Sequence, residues 1–142
     1  MIKVKFNCAD VPSIKLKNKV RVKGFIEELF SHEGQQLVFI QYVFCSDNYL
    51  LEMNKSFLQH DYFTDIITFD NSEEEKCITG DIFISIERIR ENAVKFGVTE
   101  NQELHRVMIH GALHLLGYKD KSAADKKKMT LKEDFYLDKR GF

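Results

Sequence analysis

Residues Gln36 to Cys45, QLVFIQYVFC, are rich in β-branched and aromatic side chains and are apolar in both parities. Successive side chains of a strand point to opposite faces, so a run apolar in both registers needs cover on both sides. Such a strand belongs at the centre of a sheet, and the rest of the chain has to supply its neighbours and its covering layers.

The flanking sequence supplies both. Ile2, Val4 and Phe6 alternate with Lys3, Lys5 and Asn7, the period of a half-buried strand, and the loop after it holds the only proline, Pro12. Val22, Phe25, Ile26, Leu29 and Phe30 form one stripe of a helix that Gly34 can stop. Asp47 can cap a helix whose apolar positions are Leu50, Met53 and Phe57. DIITFD (65–70) and GDIFIS (80–85) read as strands that pair antiparallel across the acidic loop NSEEEKC (71–77). Ser85 opens a helix with Ile86, Ile89, Ala93 and Phe96 on one side, closed by Gly97. Thr99 and Gln102 make a capping box for the next helix, which Gly117 ends. Ser122 and Asp125 start a last helix running through Met129, Phe135 and Tyr136. The expected fold is α+β (mixed α/β), a small mixed four-stranded sheet packed with about five helices, in one domain spanning residues 1–142.

Composition narrows the partners. With 21 basic and 22 acidic residues the chain does not coat nucleic acid by bulk electrostatics, so any phosphate binding is local. No apolar run approaches a membrane span, and no cationic start followed by an apolar block suggests export. Cys8, Cys45 and Cys77 match no disulfide framework or zinc knuckle and read as free thiols. The expected location is the reducing cytoplasm.

The chemistry concentrates in HGALHLLGYKD, residues 110–120. His110 and His114 are four apart on a helix, so both imidazoles lie on one face, about 6 Å apart along the axis. The bend at Gly117 brings Asp120 back toward them. Two histidines and a carboxylate leave a coordination position open for water, the mark of a catalytic metal site, and they suit Fe(II) as well as zinc. One anionic ligand reduces the site charge from +2 to +1, so a bound water is less acidic than at a three-histidine site. The alternative is a pair of ordinary helix histidines and a solvated turn aspartate flanked by Lys119 and Lys121. His32, His60 and His105 read as solvated or hydrogen-bonded singles.

Zinc proteases carry a glutamate after the first histidine as general base, where this chain has Gly111. Peptide hydrolysis is thereby disfavoured. A phosphodiester is the better target, because a metal can both acidify water and stabilise charge on phosphoryl oxygens.

At these residues the sequence resembles the YbeY family of bacterial ribosomal-RNA-maturation endoribonucleases. HGALHLLGYKD resembles the family signature HGxLHLxGYDH. Met53-Asn54 with Phe57, the segment FTDIITF (63–69) and Gly80-Asp81-Ile82 with Ile84-Ser85 resemble further family segments in family order. The resemblance covers roughly residues 47 to 121. It implies a bound zinc, single-strand-specific endoribonuclease activity, and roles in 16S rRNA 3′-end maturation and ribosome quality control, with ribosomal RNA and the ribosome or assembly factors as partners. It places the metal on His110, His114 and, by position, Asp120, where the family has histidine. Leu58 stands where the family pattern has arginine, and Phe63 where it has proline.

The remaining candidate RNA contacts are Arg106, Lys119 and Lys121, with the Lys126–Lys128 run nearby and Phe57, Tyr62 and Phe63 as possible base-stacking rings. Core packing is the first expectation for Phe57, and Asp65 and Asp81 are equally structural or site-supporting. The leading expectation is a metal-dependent endoribonuclease using water on the ion as nucleophile, with no further catalytic acid or base assigned. The rival is a noncatalytic ribosome-assembly factor with a structural metal, favoured by Leu58. A hydrolase of another substrate is disfavoured by Gly111.

Overall fold

The structure, a computed structural model, describes residues 2–14, 16–60 and 63–141. Tyr62, one of the candidate stacking rings, lies outside them. The elements run β1 (Val4–Cys8), α1 (Lys19–His32), β2 (Gln36–Cys45), α2 (Asp47–Phe57), β3 (Ile66–Asp70), β4 (Cys77–Ser85), α3 (Ile86–Phe96), α4 (Glu100–Leu115) and α5 (Ala123–Lys139). One four-stranded sheet has the order β1-β2-β4-β3. β2 is parallel to both β1 and β4, and β3 returns antiparallel along β4. The fold is α+β with five helices, as the sequence predicts, and β2 lies inside the sheet.

Cover on the two faces of β2 is unequal. Ile40, Tyr42 and Phe44 face the main core with Ile82 and Ile84 of β4, Ile26, Leu29 and Phe30 of α1, and most of α4. On the other face α2 lays Leu50 over Cys45 and Ile67, with Met53, Phe69 and Phe83 around them. That second layer covers the C-terminal end of β2, whereas Gln36 and Val38 at its start are exposed.

Local signals explain most element ends. Ser85, Thr99 and Ser122 each accept from the backbone N–H three residues on, and Thr99 with Gln102 closes both arms of a capping box. At α2 the cap is Ser46 rather than Asp47: Ser46 Oγ accepts from the Tyr49 N–H at 3.1 Å. Asp47 is the first helical residue, and its carboxylate takes the Arg88 Nε–H at 3.1 Å on each oxygen. Three apolar expectations are corrected, the first being Ile2, which precedes β1 and is 69% exposed. Phe57 is 68% exposed, its ring standing edge-on to Phe69 of the edge strand β3, and Phe96 in the last turn of α3 is 58% exposed.

The helix that carries the histidines is the most deeply buried. Ten of its sixteen residues are buried, and it lies directly on β3 and β4. Gly111 is what permits that approach: a Cβ there would sit 2.9 Å from side-chain carbons of Ile66 and of Ile82. The position that a protease would give to its glutamate therefore points into the sheet.

Candidate metal centre

α4 ends in a Schellman turn. Gly117 has φ +101°, its N–H bonds the His114 carbonyl at 3.0 Å, and the Tyr118 N–H bonds the Leu113 carbonyl at 3.0 Å. The reversed chain brings Asp120 back over the helix end. Asp120 Oδ2 lies 3.2 Å from His110 Nε2 and 3.4 Å from His114 Nε2, and the two Nε2 atoms are 2.9 Å apart. These three residues offer ligand atoms that could hold one ion.

The hydrogen bonds on the far side of each ring define its tautomer. His110 Nδ1–H donates to Glu133 Oε2 at 2.6 Å, and His114 Nδ1–H donates to the Tyr118 carbonyl at 3.0 Å. A carboxylate and a carbonyl only accept, so each neutral ring keeps its proton on Nδ1 and turns a bare Nε2 lone pair inward. With both rings neutral, two lone pairs and a carboxylate oxygen converge without a donor and repel one another unless a proton or a metal cation lies between them. A tetrahedral ion with bonds of about 2.0–2.1 Å separates its donors by about 3.3–3.4 Å. The observed spacings meet that requirement with a few tenths of an ångström of opening between the rings, so the residues present fit a divalent metal.

The two rings differ in proton affinity. Burial opposes a charge on His110, but the hydrogen bond and charge of Glu133, followed by Asp120 and Asp65, outweigh it and raise the ring above the ordinary histidine range. His114 is lowered, first by burial and then by the charge of His110. A proton on His110 therefore disfavours one on His114.

The three residues open onto a cavity of about 660 Å³. Asp65 and Glu103 also line it, and burial raises both carboxyls above the ordinary range, more than Asp65's neighbour His110 or Glu103's neighbour Arg106 lowers them. Among the described lining residues, five are carboxylates and two, Arg106 and Lys121, are cations. Arg106 is already engaged, with Nη1 2.8 Å from Glu133 Oε1 and Nη2 2.6 Å from Asp134 Oδ1. Lys121 faces the cavity, whereas Lys119 lines a separate pocket beyond Gly117. Lys126 to Lys128 lie in the first two turns of α5, with Lys128 Nζ 5.4 Å from the Tyr118 ring centre. Leu58 and His60 line the cavity, Phe63 lies under the Arg88 guanidinium at 5.1 Å, and Asp81 bonds Asn71 away from the cavity. His32 stacks on Phe135 and His105 accepts from Arg140.

Three supports escape the sequence reading. Glu133 comes from α5, and the Tyr118 carbonyl is backbone. The third is Glu33 at the end of α1: its carboxylate accepts from Tyr118 Oη at 2.6 Å, from Lys132 Nζ at 3.1 Å and from Tyr136 Oη. Burial works against that carboxylate, yet these partners hold it below the ordinary range. A capping signal at Ser122 foretells α5, but nothing local marks Glu133 or Glu33 as neighbours of the histidines.

A histidine pair one helical turn apart, a returning carboxylate and an open cavity define a candidate metallohydrolase site on a mixed α+β scaffold. The family model described as Endoribonuclease YbeY matches residues 7–141. The chain belongs to the YbeY endoribonuclease family, a family of hydrolytic enzymes. It is 48% identical over 128 residues to Endoribonuclease YbeY of Cytophaga hutchinsonii, covering 90% of each chain. It is 60% identical over 120 residues to that of Flavobacterium psychrophilum, covering 84% of this chain and 85% of the relative. The solution structure of TM1509 from Thermotoga maritima superposes with a TM-score of 0.64 at 28% identity, over 96% of this chain and 88% of that one. Among the described residues, no helix is long and apolar enough to cross a membrane.

Proposed function

We propose that this chain is a zinc-dependent endoribonuclease that cuts single-stranded RNA, acting in the cytoplasm in 16S rRNA 3′-end maturation and ribosome quality control. Its 142 residues work as one domain, with ribosomal RNA and the ribosome or its assembly factors as partners. The reading is carried by one observation: His110, His114 and Asp120 present three acceptor atoms to a common point on the wall of a 660 Å³ cavity.

The cavity's charge supports the same reading. Its described lining holds three more carboxylates than cations, and a phosphodiester entering it is repelled unless a further cation is held there. His110, His114 and Asp120 would hold that cation, zinc by preference and another divalent ion such as Fe(II) by the same donor set. When bound, the ion would supply Lewis acidity toward water and a phosphoryl oxygen.

The chain's own groups do the rest. The Tyr118 carbonyl holds the His114 ring with its Nε2 inward. Lys121 faces the cavity as a phosphate contact. Asp65 and Glu103, whose carboxyls retain a proton more readily than exposed ones, are the groups that could take or give a proton beside the substrate. Gly111 contributes no base, because its position is packed against Ile66 and Ile82.

His114→Ala tests the reading. Zinc content and cleavage of a single-stranded RNA should both fall to background while the fold is retained, and full cleavage by a contaminant-free preparation would refute it. The second reading, a noncatalytic assembly factor with a structural metal, is favoured by Leu58, which lines the cavity and offers no contact to phosphate. Cleavage that follows metal occupancy across ligand variants would rule it out.

A further inference from the structure

We propose that Glu133, on the C-terminal helix, is the positioning residue for His110, and that Arg106 holds Glu133 in place. The inference rests on the metal reading above and adds to it two residues whose role is orientation rather than ligation. It also makes α5 part of the metal centre.

Glu133 lies 23 positions beyond His110 and is only 9% exposed at its side chain. Burying a carboxylate is costly unless its oxygens are met by donors. Both are met here, each by a different group: Oε2 takes His110 Nδ1–H at 2.6 Å and Oε1 takes Arg106 Nη1–H at 2.8 Å. A simple clamp between α4 and α5 would need only the guanidinium, which also reaches Asp134 at 2.6 Å. The second oxygen is instead committed to an imidazole whose other nitrogen is 2.9 Å from His114 Nε2 and 3.2 Å from Asp120 Oδ2. Carboxylate, imidazole and metal position thus lie in one line of contacts. This arrangement fixes ring tautomer and orientation and raises the basicity of a ligating histidine.

The geometry also dictates how substitutions should combine. An ionised glutamate has two acceptor oxygens for two donors. Glutamine has one acceptor oxygen and an amide NH2, so in Glu133→Gln one of the two donors must face that NH2. Removing the competing guanidinium frees the amide oxygen for His110.

The experiment measures zinc affinity by competition with a chromogenic chelator for the full chain, alongside thermal unfolding of each variant. Glu133→Ala and Glu133→Gln should each bind zinc about 10–100-fold more weakly than the native chain. Adding Arg106→Leu to Glu133→Gln should recover several-fold of that affinity even as it lowers the unfolding temperature, and adding it to Glu133→Ala should recover none. A structural clamp alone would move affinity and stability down together. Zinc binding by Glu133→Ala within twofold of the native chain, or no recovery in the Gln/Leu pair, overturns the positioning role. If the native chain itself retains no zinc, the metal reading fails first and this inference with it.

Discussion

The Nε2 atoms of His110 and His114 face each other at 2.9 Å because each ring has committed its Nδ1–H to a different part of the chain, the α5 carboxylate of Glu133 and the backbone carbonyl of Tyr118. The spacing of the pair is a property of one helix. Its inward orientation is a property of the packed molecule, and several consequences can be measured.

Gly111 should tolerate no side chain. An added Cβ meets carbons of Ile66 and Ile82 at 2.9 Å inside a packed core, where overpacking costs typically about 1–3 kcal/mol. Gly111→Ala is expected to lower the unfolding free energy measured in urea by that amount, with a matching fall in the midpoint. Gly111→Glu, which mimics the protease pattern, is expected to fail to fold rather than to gain a catalytic base.

Glu33 should matter to both stability and metal. Glu33→Ala leaves Tyr118 Oη, Tyr136 Oη and Lys132 Nζ without their acceptor, a loss of about 1–3 kcal/mol in denaturant unfolding. Tyr118 also supplies the carbonyl that holds His114, so zinc affinity should fall in the same variant. Tyr118→Phe keeps the carbonyl and should show the smaller effect on both measurements.

The two cavity cations should behave differently toward RNA. Each phosphate contact on a single strand contributes about 0.7 to the slope of log affinity against log salt. Lys121→Ala should reduce that slope by about this amount. Arg106→Ala should leave it unchanged and lower stability instead, because its guanidinium is held by Glu133 and Asp134.

Acid should weaken the fold through His105. Burial, then the neighbouring charge of Arg140, lowers this ring to about 4, and its Nδ1 accepts from the guanidinium. Below the ordinary value of 6.5 the unfolded chain takes up a proton that the folded chain refuses until about 4. Its contribution is therefore fully present above pH 6.5 and lost as pH falls through that window, at no more than about 1.4 kcal/mol per pH unit. Urea unfolding at a series of pH values should show His105→Gln with a shallower decline over the window than the native chain.

The sequence by itself determined the elements, their order and the core of the candidate site. Hydrophobic period, serine and threonine caps and the glycine at 117 are read within a few residues, and so is a histidine pair one turn apart, because the backbone geometry that expresses them is local. Even Asp120 is legible, since a Schellman turn fixes the path of the next few residues. Tertiary structure decided what those residues meet. It exposed Phe57 at the edge of the sheet, took the Arg106 charge into a pair with α5, and gave Gly111 a packing reason. It also brought Glu133 and Glu33 beside residues 23 and 85 positions along the chain. Contacts at such separations are set by how whole layers dock on a common core, and no local pattern in either segment carries that information.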